Sequence, residues 1–189
     1  MNLYLSGMIG SGKTTIGARV AGELDVAMLD LDREMDRRLG YSFHRLVAEQ
    51  GWLPFRELEY AICRDFADCR GCVICLGGGT VRYAWNRDVL RGSGVMVLLE
   101  ANEEELIRRV SRADRPRVNP GTDLAGDIRR MWRSHAETYR SAADRIYRTD
   151  EKTLEEEVAE LVRMLDTEPD FAPVRRAMRE GSVTGRIGR

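Results

Sequence analysis

Lysine is nearly missing from this chain, with two residues in 189 beside 28 arginines. Histidine is equally scarce, at His44 and His135. An excess of charge is missing too: the formal net charge is −1, which leaves no electrostatic footprint for nucleic acid or an anionic membrane surface. No apolar run comes near the ~20 residues that a bilayer-spanning helix needs. A charged leader with an apolar core is not legible at the N-terminus, and the expectation is a cytoplasmic protein with no membrane or nucleic-acid partner. With 43% hydrophobic residues at this length, one domain with a sizeable core is expected.

Cysteine is sparse as well, but three of the four stand in the spacing Cys69-x-x-Cys72-x-x-Cys75, which metal and iron–sulfur sites use. Two features argue against a metal. Val73 to Leu76 reads as a buried strand whose alternation sends Cys72 and Cys75 to opposite faces, and no fourth ligand lies close by in sequence. Reduced thiols are the better account, with Cys63 on a helix face.

Against that background Lys13 stands out. Residues Gly7 to Thr14 read G-M-I-G-S-G-K-T and follow directly on the apolar run Leu3-Tyr4-Leu5. Strand, glycine-rich turn and helix start in that order make a phosphate cradle. The glycines let the backbone turn tightly, while successive N–H groups and the helix N-terminus point at the anion. A glycine-rich turn without a ligand is the plain alternative. The expected ligand is a nucleoside triphosphate, with Lys13 reaching its β/γ-phosphates, Thr14 ligating Mg²⁺, and Gly10, Ser11, Gly12 and Thr15 completing the contact.

Short apolar runs alternate with helical patterns along the chain, the mark of a parallel sheet wrapped by helices. The runs are Leu3–Ser6, Val26–Leu29, Cys72–Leu76, Val95–Leu99 and a weaker Arg145–Tyr147. Helical spacing is clearest at Lys13–Gly22, at Phe55, Leu58, Ile62 and Phe66, from Leu106 to Val110, and from Leu154 to Leu165. Ser111 to Asp123, rich in Arg, Pro, Gly and Asp, is expected to be a mobile surface loop. From Asp166 onward, Pro169, Pro173 and scattered Arg, Gly and Ser suggest a disordered tail, which divides the chain into a domain over 1–165 and a tail over 166–189.

A phosphate loop alone does not separate a kinase from a GTPase, a motor or a regulator. Asp30-Leu31-Asp32 reads as the end of the second strand, where a period of two aims both carboxylates off the edge at which open α/β sheets bind ligands. One carboxylate could hold Mg²⁺ water while the other takes a proton from an acceptor hydroxyl. A helix N-cap with an acidic first turn is the competing reading. Gly77-Gly78-Gly79 leaves a buried strand at the same edge, and three glycines allow a closer backbone approach to a small ligand than a turn requires. Arg56 and Glu59, one helical turn apart, read on local grounds as a solvated pair.

Taken together, G-M-I-G-S-G-K-T-T-I-G (7–17), D-L-D (30–32), G-Y-S-F (40–43) and G-W-L-P-F-R-E-L-E (51–59) resemble the shikimate kinases. So do L-G-G-G-T-V (76–81), N-R-D-V-L (86–90), R-P (115–116) and Y-R-S-A-A-D (139–144), and the likeness spans about residues 1 to 165. It implies an α/β fold of the nucleoside monophosphate kinase type, with a five-stranded parallel sheet flanked by helices and a mobile lid. It also implies ATP as donor, Mg²⁺, and the 3-hydroxyl of shikimate as acceptor, in the chorismate route to aromatic amino acids. By position, Asp32 resembles the carboxylate that binds the shikimate hydroxyls and serves as base, and Asp30 the one near Mg²⁺. Arg56 resembles the arginine that grips the shikimate carboxylate, for which a guanidinium fork is well shaped. Glu59 would orient it. Gly78 and Gly79 match the backbone beside shikimate, and Arg115 the lid arginine that folds over the phosphates. Arg108 or Arg109 and Lys152 fall near the residues that flank adenine; plain surface charge is the other reading of Lys152. A monomer is expected. The alternatives are a related small-molecule kinase with another acceptor and a nucleotide-binding regulator without turnover.

The likeness weakens at two places. The family usually carries a second carboxylate-binding arginine four residues before the tyrosine that matches Tyr139, and this chain has His135 there. A histidine lacks the bidentate fork and is only partly charged near neutral pH, and Arg133 is the nearby substitute. The lid reads R-P-R-V, with Arg117 where an apolar residue is usual.

Lys13→Ala should lower turnover by at least about 100-fold, as the loss of comparable electrostatic groups does, while circular dichroism shows the fold intact. Near-normal ADP release from a folded variant would remove the phosphate-loop assignment.

Overall fold

The computed structural model describes residues 1–112 and 123–187. Five strands, β1 (Asn2–Ser6), β2 (Met28–Asp30), β3 (Val73–Cys75), β4 (Gly94–Glu100) and β5 (Arg145–Arg148), form one parallel sheet in the order β2-β3-β1-β4-β5. The five-stranded parallel sheet expected from the sequence is borne out. Residues of β1 and β3 are buried throughout, as strands covered on both faces must be, which is why they read as continuous apolar runs.

The helices among the described residues are α1 (Lys13–Glu23), α2 (Leu31–Leu39), α3 (Phe43–Gln50), α4 (Trp52–Ala67), α5 (Ala84–Leu90), α6 (Glu103–Arg112), α7 (Leu124–Ser141), α8 (Leu154–Thr167) and α9 (Ala172–Arg179). Strand alternation sorts the core into two layers. Leu3, Leu5, Val73, Cys75, Val97 and Leu99 face Ile16 and Val20 of α1, Leu161 and Leu165 of α8, and Val174 and Met178 of α9. Tyr4, Ile74, Met96 and Leu98 face the helices of the other side, through Met35, Ile62, Leu106 and Tyr139. Gly17 lets α1 approach the sheet, since a Cβ there would collide with the Cys75 sulfur and lie 3.2 Å from the Leu5 side chain.

Register places the functional edge. Leu5 pairs with Cys75, and Cys75 with Asp30, so the segments leaving β1, β3 and β2 emerge side by side. β1 lies between β3 and β4, the crossover point at which open α/β sheets hold ligands. No helix of the described residues is long and apolar enough to cross a membrane.

Two sequence readings need correction. The loop read from Ser111 to Asp123 is narrower at its ends, because Ser111 and Arg112 belong to α6 and Asp123 caps α7, its carboxylate accepting from the N–H groups of Ala125 and Gly126. Arg115 and Arg117 lie outside the described residues. The disordered tail is the second. Pro169 opens a short 3₁₀ turn and Pro173 occupies the first turn of α9, a place where the missing N–H is harmless. Phe171, Val174 and Ile187 are buried, Arg70 and Val183 exchange backbone hydrogen bonds of 2.8 and 2.7 Å, and the Ser182 hydroxyl accepts from Ala27 N–H. Phe171 and Val174 therefore complete the hydrophobic layer over one sheet face, and Ile187 joins the layer over the other.

Phe171→Ala should cost about 3–5 kcal/mol of stability, the usual range for truncating a buried aromatic. Urea unfolding would show it as a lowered midpoint, and an unchanged midpoint would contradict the docking of this segment.

Candidate active site

The donor side is the turn between β1 and α1. Gly10 (φ 82°) and Gly12 (φ 93°) adopt left-handed backbone that glycine alone takes without strain. A Cβ at Gly10 would also sit 2.7 Å from Val110, and one at Gly12 2.9 Å from Ile16. No side chain caps α1, so its first N–H groups face the loop and suit an anion. The Lys13 ammonium is buried and donates to the carbonyls of Gly7 and Met8, each at 2.8 Å, with Ser11 Oγ at 3.4 Å. Ser11 is buried within the loop, and Thr15 is exposed on the first turn.

β2 ends at Asp30, two residues before Asp32, and this changes the geometry of Asp30 and Asp32. Asp30 is the N-cap of α2: its Oδ1 accepts from Arg33 N–H at 3.1 Å while its Oδ2 accepts from the Thr14 hydroxyl at 2.7 Å. Asp32 lies on the first turn of α2, so strand alternation does not pair it with Asp30. Its Oδ1 is 3.1 Å from the position a Cβ would take on Gly77, which places it beside the glycine segment. Asp30 thus lies beside Thr14, and Asp32 beside Gly77.

Around Glu59 the acceptor side is dry. This carboxylate is 1% exposed and accepts from Arg56 Nη1 at 2.7 Å, Thr80 Oγ1 at 2.9 Å and Asn86 Nδ2 at 3.0 Å. Arg56 and Glu59 are no solvated pair: the Arg56 guanidinium is packed among the rings of Tyr83, Phe55 and Trp52, at 4.4, 4.7 and 5.1 Å. Its Nε is buried without a partner among the described residues, a donor left for explanation.

The two glycine segments abut. A Cβ on Gly78 would lie 3.3 Å from the Ile9 nitrogen of the phosphate loop, so backbone from both halves lines one small space. Buried Tyr139 donates its hydroxyl to the Gly78 carbonyl and pins α7 against this segment. Burial, more than its neighbours, pushes the Tyr139 phenol up to about 12, which keeps it a donor; the Arg82 and Arg56 charges act the other way. One turn earlier on α7, His135 is half-buried, and burial and then the Arg82 charge hold its pKa below the ordinary 6.5. Arg133 does not join this pocket. It is 75% exposed and faces Glu103 at 3.9 Å, because two residues along a helix rotate a side chain by about 200°. Arg82, which the motif reading passed over, is brought here by the 3₁₀ turn Thr80–Arg82, and the signal for it was simply an arginine three residues after the glycines.

Of the two arginines read near adenine, Arg109 is the one beside the loop. It donates to the Thr149 hydroxyl and carbonyl at 3.1 and 3.0 Å, and its Nη1 is 3.8 Å from the position of a Cβ on Gly12. Arg108 is exposed and paired with Glu105. Lys152 rests on the Tyr147 ring at 4.6 Å and pairs with Glu160. The four cysteines are free and buried, Cys72 and Cys75 on opposite faces of the sheet. Burial pushes the Cys69 and Cys75 thiols up to about 12, well away from reactive thiolate.

Glu59→Ala should lower stability by about 3–5 kcal/mol, since it strands a buried guanidinium, and should weaken acceptor binding as well. Chemical unfolding and acceptor titration check the two effects. A variant as stable as the parent would mean that the pair is not buried in solution.

A family model for shikimate kinase matches residues 9–166. The shikimate kinase of Pseudomonas aeruginosa (strain LESB58) is 37% identical over 169 residues, which cover 87% of this chain and 96% of that one. The solved shikimate kinase of Bacteroides thetaiotaomicron superposes with a TM-score of 0.80 at 29% identity, covering 88% of this chain and 98% of that one. A shikimate kinase from Acinetobacter baumannii, solved in complex with shikimate, shares the fold at a TM-score of 0.81 and 24% identity, over 89% of this chain and 94% of its own. The family match takes in the Lys13 turn, the Arg56 helix and the triple glycine without a break, and the chain belongs to the shikimate kinase family.

Proposed function

We infer that this protein transfers the γ-phosphoryl group of ATP to the 3-hydroxyl of shikimate, giving ADP and shikimate 3-phosphate on the route to aromatic amino acids. The observation that carries the acceptor is the buried Arg56–Glu59 pair, whose carboxylate also holds the Thr80 hydroxyl of the turn after the triple glycine, beside the phosphate loop. A planar carboxylate is the anion that a guanidinium fork matches best.

Phosphoryl transfer needs positioning and charge stabilisation more than covalent help. Lys13 moves from the loop carbonyls to the β/γ-phosphates, while Gly10, Ser11, Gly12, Thr14 and Thr15 present N–H and hydroxyl groups to the phosphate chain. The oxygens of Thr14 and Asp30, 2.7 Å apart, suit Mg²⁺, which would supply charge neutralisation to the phosphates. Among the described residues no cluster of three or more His, Cys, Asp or Glu could hold a metal, so a hexacoordinate cation here would draw on phosphates and water. Asp32 orients the acceptor hydroxyl and accepts its proton, and Gly78 and Gly79 let the ring approach. We assign Arg115 to the lid that closes over the phosphates, and Arg109 with Lys152 to the adenine side. The buried reduced thiols suit the cytoplasm.

Coupled ADP release should rise strongly when shikimate is added, and Asp32→Asn should cut that rate at least about 100-fold by removing charge and proton acceptance at constant volume. Slow hydrolysis indifferent to shikimate would favour a nucleotide-binding regulator. Stimulation by another hydroxylated acid alone would keep the kinase and replace the acceptor.

A further inference from the structure

We propose that Arg82 is a second carboxylate-binding residue of the acceptor pocket, acting beside Arg56 on an anionic ring substrate. The proposal rests on the acceptor reading above and names the group that supplies its unmatched positive charge.

Position comes first. Arg82 ends the turn that follows the triple glycine, and that turn is held from two sides: the Thr80 hydroxyl donates to Glu59, and Asn86 donates to the Thr80 carbonyl at 3.1 Å. The guanidinium folds back across Gly79, with Nε 3.4 Å from the Gly79 carbonyl and Nη2 2.6 Å from where a Cβ on that residue would stand. Any side chain at position 79 would displace it. Arg82 and Arg56 lie within 5.9 and 4.4 Å of the Tyr83 ring centre, so two guanidinia border the same aromatic wall.

Charge comes second. Arg56 is neutralised by Glu59, whereas Arg82 has no carboxylate within ion-pair reach among the described residues. An anion entering the pocket therefore meets its net positive charge at Arg82. The neighbouring candidates do not compete. Arg133 faces Glu103 and solvent, and burial and then the Arg82 charge hold the His135 pKa below its ordinary value, against the charged form. The fork of Arg82 can bind a carboxylate in two parallel hydrogen bonds, which an imidazole ring cannot.

Arg82 could instead serve only to lock the turn through the Gly79 carbonyl, and the test separates the two roles. Shikimate and its methyl ester, which lacks the negative charge, are titrated into the full-length enzyme and followed by tryptophan fluorescence. Trp52 flanks Arg56, Trp85 lies against Tyr83 and Trp132 against Tyr139, so the reporters are in place. Arg82→Ala should weaken shikimate about tenfold or more, leave the ester and ATP within about twofold, and regain most of the loss when combined with His135→Arg. Arg82→Gln retains an amide donor toward Gly79 and should show the same loss if Arg82→Ala folds poorly. Unchanged shikimate affinity, or equal weakening of acid and ester, would overturn the proposal while leaving the acceptor reading standing. A parent enzyme that does not prefer the acid over the ester would overturn both.

Discussion

Glu59 is a carboxylate almost sealed from water, and the acceptor half of the molecule is organised around keeping it satisfied. Removing an ion from water is costly unless geometry and hydrogen bonds compensate, so three donors from three segments must converge on it. They are Arg56 from α4, Thr80 from the turn after the glycines and Asn86 from α5. Satisfying one buried charge therefore fixes the angle of the glycine exit, the seating of Arg56 among its aromatic rings, and the turn that delivers Arg82. The proposed acceptor recognition would be a consequence of that desolvated network.

The donor half follows a different logic. Its groups are backbone N–H atoms and one lysine, placed by left-handed glycines at the end of a central strand. A chain that uses arginine nearly everywhere keeps lysine at position 13, and the geometry gives a reason. A compact ammonium with three rotatable donors can sit on the Gly7 and Met8 carbonyls and exchange them for phosphate oxygens, whereas a planar fork is too large and too directional for that cradle. The two halves meet where the Gly78 backbone comes against Ile9, so the donor and acceptor spaces share a wall.

Features carried by contiguous residues were legible in the sequence. The phosphate loop, the apolar strands β1, β3 and β4 and the α8 stripe each declare themselves within a dozen residues, while β5 is only a weak signal. The parallel sheet follows from their alternation with helices. What depends on burial was not legible. Arg56 and Glu59 look like any solvated i, i+3 pair until the rings of Trp52, Phe55 and Tyr83 close over them. α7 is charged at so many positions that its two fully buried residues, Ile128 and Tyr139, give no clear period. Two prolines made the segment after Asp166 look broken, though both open helical turns. Asp30 and Asp32 read as one strand because a boundary shift of two residues changes the period that governs them. Arg82 escaped because its meaning lies in its distance from Gly79, Tyr83 and His135, which no local pattern encodes.

The central claim is that a carboxylated ring sits between the Glu59-held arginine and the phosphate loop with its hydroxyl toward Asp32. A crystal structure of the enzyme with ADP and shikimate tests it most directly. The account predicts the shikimate carboxylate on the guanidinium of Arg56, the ring against Gly78 and Gly79, and the 3-hydroxyl within hydrogen-bond distance of Asp32. A carboxylate bound elsewhere, with Arg56 still closed on Glu59 and its rings and Asp32 turned away from the hydroxyl, would contradict it.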